Sequence, residues 1–159
     1  MTLNCAIIDD EPLSVEMMSE YVEKTPFLSL SGSYNSAVQA IKALRENPVD
    51  LLFLDIQMPE LSGLEFAKIL PKRTKIIFTT AFPQYAIDGY EVEALGYILK
   101  PVSYDAFLKV AKRAHDWFVQ SEKAKTYAED RFIFVKSDYK LVRIDLDDIL
   151  FVEGLKDYV

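Results

Sequence analysis

Five polar residues stand where apolar runs of strand length end. Asp9 and Asp10 follow the run at 3–8, Asp55 the run at 51–54, Thr80 the run at 76–78 and Lys100 the run at 96–99. Gathered at one place, three carboxylates repel one another and call for a cation, and an all-oxygen set that leaves positions for water suits Mg²⁺. A cation so held draws in an anion, whose remaining oxygens the Lys100 ammonium and the Thr80 hydroxyl can hold. Asp55 is the natural nucleophile of the set, because an aspartate can accept a phosphoryl group covalently along an in-line path. Taken singly, each residue also has an ordinary reading. Asp55 can satisfy turn amides, Asp9 or Asp10 can cap a helix, Thr80 can be a plain strand residue and Lys100 a solvated one.

The pattern of the chain supplies the means of gathering them. Residues 3–8 read as a buried strand, and Pro12 suits the first turn of a helix with Val15, Met18 and Val22 on one face. Pro26 ends that helix; residues 27–32 read as a second strand, and Asn35 or Ser36 can cap a helix carrying Ala37, Ala40, Ile41 and Leu44. After Asn47-Pro48 come a strand at 51–54, the Asp55 turn closed by Pro59, and a short helix at 64–70 stopped by Pro71. Strands at 76–78 and 96–99 flank a helix over 83–93, and a last helix from a Ser103 cap carries Phe107, Ala111, Ala114 and Phe118. Five strands alternating with five helices predict a doubly wound α/β fold, with a parallel sheet covered on both faces and right-handed crossovers. Such a sheet collects the C-terminal ends of its strands along one edge, where all five polar residues fall.

Composition narrows the classes. At 159 residues and 50% hydrophobic, the chain is long enough for one well-buried core. Its formal charge of −7 disfavours a surface that holds nucleic acid by neutralising phosphates. No run is apolar enough for export or a membrane span, so a cytoplasmic location and no membrane partner are expected. Cys5 lies within the first apolar run and reads as a small buried hydrophobe, and His115, the only histidine, reads as structural. Beyond a polar stretch at 120–130, residues 132–135, 141–144 and 149–152 read as strands with no helices between them. Three short strands cannot close a core, so the chain reads as ending inside a second domain.

At Asp9-Asp10, at Asp55-Ile56-Gln57-Met58-Pro59 with Gly63 beyond, and at Thr80-Ala81, Tyr97 and Lys100-Pro101, the sequence resembles the receiver domain of two-component response regulators. The likeness covers residues 1–123 and implies a flavodoxin-like fold with five parallel strands in the order 2-1-3-4-5. It implies that a sensor histidine kinase phosphorylates Asp55, that Asp10, Asp55 and the Gln57 carbonyl ligate Mg²⁺, and that Asp9 assists through water. It further implies a cis bond before Pro101 that aims Lys100 into the site. In the family's switch, the Thr80 hydroxyl moves to the phosphoryl group and Tyr97 turns inward. The face made by the helix at 83–93, the strand at 96–99 and the last helix then changes, and that face is expected to support a homodimer on activation.

After a linker at 124–130, residues 131–159 resemble the start of a LytTR-type DNA-binding domain, most closely at Ile149-Leu150-Phe151-Val152-Glu153-Gly154. DNA binding and transcription regulation are expected of the intact protein through that domain and not of this fragment. The leading expectation is a phosphoryl-accepting switch that assists its own phosphorylation and dephosphorylation without turning over a metabolite. An aspartyl-phosphate phosphatase would carry a second acid two residues after its nucleophile, where this chain has Gln57. A receiver-like interaction module that is never phosphorylated is the other alternative. No Gly-rich turn follows the first strand, which disfavours dinucleotide binding.

Overall fold

The computed structural model describes residues 1–84, 93–129, 132–137, 140–145 and 148. They form two compact units, Met1–Phe118 and Val119–Val159. The first unit contains β1 (Leu3–Ile8), α1 (Pro12–Glu23), β2 (Leu28–Tyr34), α2 (Ala37–Glu46), β3 (Leu51–Asp55), α3 (Gly63–Ile69), β4 (Lys75–Thr80) and β5 (Gly96–Leu99). The final helix, α4 (Tyr104–Glu129), begins in this unit. The five strands pair in parallel in the order β2-β1-β3-β4-β5. This is the doubly wound, flavodoxin-like order expected from the sequence. The helix expected over 83–93 falls largely outside the described residues.

The period-two alternation of the strands explains the two-sided core. In β3, Leu51 and Phe53 join one apolar cluster with Met18 and Val22 of α1 and Phe107, Ala111 and Ala114 of α4. Leu52 and Leu54 point the other way, into a cluster with Ala40 and Leu44 of α2, Phe66 of α3 and Phe78 of β4. Every residue of β3 is buried, as a central parallel strand requires. Cys5 lies in the first cluster, and burial, reinforced by the charge of Asp50, pushes its thiol up to about 12, in keeping with its reading as a small hydrophobe.

Helix starts follow the local chemistry at α1, α3 and α4, although Glu11, at the cap position of α1, makes no side-chain cap bond. Pro12 opens α1, Ser62 and Glu65 form a reciprocal capping box at the start of α3, and the Ala106 amide donates to Ser103 Oγ at 3.2 Å. The expected side-chain cap of α2 is absent: Ser36 occupies the cap position but makes no side-chain cap bond. Asn35 instead sends its amide across to the end of β1. β2 also runs two residues past the expected 27–32, because its pairing with β1, shifted by one residue between Cys5 and Ala6, continues as far as Ile8 and Tyr34. In the second unit, β6 (Phe132–Ser137) and β7 (Lys140–Asp145) form an antiparallel pair. The strand expected at 149–152 lies outside the described residues.

Candidate functional site

The C-terminal ends of β1, β3 and β4 and the residue after β5 bring the acids and the lysine together. Asp9, Asp10 and Asp55 each offer a carboxylate oxygen within 4.8 Å of the others. Lys100 Nζ reaches Asp9 Oδ2 at 2.9 Å and Asp55 Oδ1 at 3.3 Å, with Glu11 Oε2 at 3.6 Å. Asp9 and Asp55 are buried and Asp10 is more open to solvent. Glu11 was not singled out by sequence reasoning as part of the site. Its place beside the acid pair was the available signal, but only the fold brings Lys100 within its reach.

Local structure fixes each group. The Ile56 amide donates to the Thr79 carbonyl at 3.1 Å, carrying the β3–β4 ladder past Asp55, and the Gly63 amide donates to the Ile56 carbonyl at 2.9 Å. A Cβ at Gly63 would overlap the Asp55 carbonyl oxygen, so the start of α3 can approach this turn only with glycine there. Lys100 is aimed by its own amide, which donates to the Thr80 carbonyl at 2.8 Å, and the Lys100–Pro101 bond is cis. Thr80 is buried, and its Oγ1 accepts from the Phe82 amide at 3.1 Å. Tyr97 is half-buried and stacks on Phe78 with ring centroids 5.5 Å apart. Gln57 is exposed and lines an open cleft of about 570 Å³ together with Asp10, Met58 and Pro59.

The electrostatics are those of a site with too much negative charge. Burial, and then the charge of Asp9, hold the Asp55 carboxyl at about 6 against an ordinary 3.8, despite the opposing pull of Lys100. Asp9 is also raised, by burial first, with Lys100 and the Glu11 amide working against the shift. Burial acts to lower Lys100, but its hydrogen bonds and ion pairs with Asp9 and Asp55 carry it above the ordinary lysine range. One ammonium does not neutralise three clustered carboxylates. An all-oxygen donor set with residual negative charge and an open cleft beside it fits a hard divalent cation such as Mg²⁺.

The chain matches the family model described as the response regulator receiver domain over residues 5–112, and it belongs to that family. It is 30% identical over 165 aligned residues to the sensory transduction protein LytT of Bacillus anthracis, covering 98% of this chain and 67% of the relative. It is 42% identical over 98 residues to the transcriptional regulatory protein BtsR of Escherichia coli K12, covering 60% of this chain and 41% of the relative. Among solved structures, the response regulatory domain of mrkE from Klebsiella pneumoniae superposes with a TM-score of 0.68 at 28% identity, covering 74% of this chain and 98% of that one. The chain spans about half the length of most of the curated relatives it matches. The fold and family are therefore those expected from the sequence: a receiver domain of the kind that serves two-component systems. No described helix is long and apolar enough to cross a membrane.

Proposed function

We propose that Asp55 accepts a phosphoryl group from a sensor histidine kinase and that the chain is a signalling switch, not a metabolic enzyme. The observation that carries this reading is the convergence of Asp9, Asp10, Asp55 and Lys100 at one sheet edge. Asp10, Asp55 and the Gln57 carbonyl would hold Mg²⁺, with Asp9 assisting through water. When bound, the cation neutralises the acid cluster and offsets charge on the transferring phosphoryl group. An Asp55 carboxylate oxygen forms the new O–P bond as the P–N bond to the donor imidazole, protonated on its other ring nitrogen, breaks, and neutral imidazole leaves. Lys100 stabilises the charge on the phosphoryl oxygens.

The same groups account for a switch. In the unphosphorylated chain the Thr80 hydroxyl oxygen accepts from the Phe82 amide; a phosphoryl group on Asp55 offers the Thr80 O–H a charged acceptor toward which the side chain can turn. As Thr80 turns, Tyr97 beside Phe78 moves inward, altering the β5 face on which activated copies dimerise. Phosphorylation stabilises a conformation already sampled. We assign residues 1–123 to the receiver, 124–130 to a linker and 131–159 to the start of a LytTR-type output domain. In the intact protein that domain would bind DNA and regulate transcription in the cytoplasm.

A donor with a P–N bond, supplied with Mg²⁺, should load the chain with a phosphoryl group that is stable in acid and labile in base. Steady release of phosphate from unrelated monoesters would instead mark a phosphatase. A chain that takes up no phosphoryl group from any donor would be an interaction module on the receiver fold.

A further inference from the structure

We propose that Asn35 is a positioning residue for the acidic site, one that fixes the backbone from which Asp9 and Asp10 project. The parallel ladder between β1 and β2 ends at Ile8 and Tyr34. Just beyond it, the Asp9 amide donates to the Tyr34 carbonyl at 3.1 Å, and Asn35 Nδ2 donates to the Asp9 carbonyl at 3.2 Å. The two peptide planes that flank the Asp9 Cα are thus held by two consecutive residues of the neighbouring segment. The second of those planes is also the one that links Asp9 to Asp10, so a single side-chain amide sets the direction in which both acids leave the chain.

The side chain of Asp9 is committed as well. Its Oδ1 accepts from the Glu11 amide at 3.0 Å and its Oδ2 faces Lys100 at 2.9 Å. Both contacts depend on where the Asp9 backbone lies. Ser36, at the cap position of α2, makes no side-chain cap bond, and Asn35 is exposed. Asn35 therefore contributes little to the core, and its amide reaches across to the turn that carries the acids. A group that orients ligands from outside their shell characteristically alters metal affinity by tenfold or more when it is removed.

The inference rests on the reading of Asp9 and Asp10 as part of a Mg²⁺ site, and the test separates the two. The full chain is titrated with Mg²⁺, and the dissociation constant is read from amide chemical shifts of residues 9–11. Asn35→Ala should weaken Mg²⁺ binding about tenfold. Asn35→Asp keeps the size and turn preference but cannot donate, and its charge alone would tighten cation binding. Weaker binding in that variant identifies the lost donation. Thr74→Val removes a buried hydroxyl that donates to the Val49 carbonyl at 2.9 Å, remote from the acids. It should lower stability and leave Mg²⁺ affinity unchanged. If either Asn35 variant binds within about twofold of wild type, or if Thr74→Val weakens binding as much, the positioning role is overturned. Failure of wild type to bind Mg²⁺ at all overturns both this role and the reading of the site on which it rests.

Discussion

Replacing Asp55 by Asn should make the metal-free protein more stable near neutral pH. The wild-type side chain is 4% exposed and its carboxyl is held at about 6, against an ordinary 3.8, by burial and by the charge of Asp9. Because the folded value lies above the unfolded one, the stability linked to this group is fully present below about pH 4 and is lost as pH rises through about 6. A shift of about two units corresponds to roughly 3 kcal/mol at neutral pH. Lys100 keeps Asp9 as a partner in the variant, and the Asn carbonyl can still accept from it, so the expected gain is about 1–3 kcal/mol, or roughly 4–12 °C in unfolding midpoint for a unit of this size. The assay is thermal unfolding of both proteins in chelator, from about pH 5 to about pH 8. The wild-type midpoint should fall across that range and the variant's should fall much less. Mg²⁺ should then raise the wild type more than the variant, since a ligand that favours the folded state stabilises it by mass action. A variant less stable than wild type near neutral pH, or two parallel pH profiles, would refute the argument from buried charge.

Two further substitutions probe the frame of the site. Gly63→Ala places a methyl group against the Asp55 carbonyl and should cost about 1–3 kcal/mol by denaturant unfolding, with weaker Mg²⁺ binding as the turn is displaced. An unperturbed midpoint would mean that α3 can move away freely. Lys100→Met leaves Asp9 and Asp55 facing each other without their cation, so the metal-free variant should lose about 2–3 kcal/mol near pH 7. It should recover stability on acidification, as the carboxyls protonate, and a pH-independent loss would assign the effect to packing.

The strand ends were legible because each apolar run stops at a residue of a different kind. A buried parallel strand needs a continuous apolar run, and Leu51–Leu54 followed by Asp55 leaves little choice of register. The core faces followed from the same alternation. The role of Asn35 was not legible: its neighbours in sequence predict a helix cap, and only the pairing of β2 with β1 places Asp9 within its reach. Local propensity and tertiary demand competed for one side chain, and the tertiary contact won. Glu11 near Lys100 was hidden for a similar reason, since the two are joined only across the sheet edge. The hydrogen bond between Thr80 and the Phe82 amide is a local turn contact, but sequence type alone does not distinguish it from a free hydroxyl.

The central claim is that Asp55 is the phosphoryl acceptor of a cation-dependent site. The most direct measurement is the intact mass of the wild-type protein and of Asp55→Asn after incubation with a small phosphoryl donor, with Mg²⁺ and with chelator, followed by mapping of the modified peptide. One phosphoryl group per chain, on the peptide containing Asp55, present only with Mg²⁺ and absent from the variant, is the predicted result. An equal adduct on Asp55→Asn, or none on wild type with every donor tried, would contradict it.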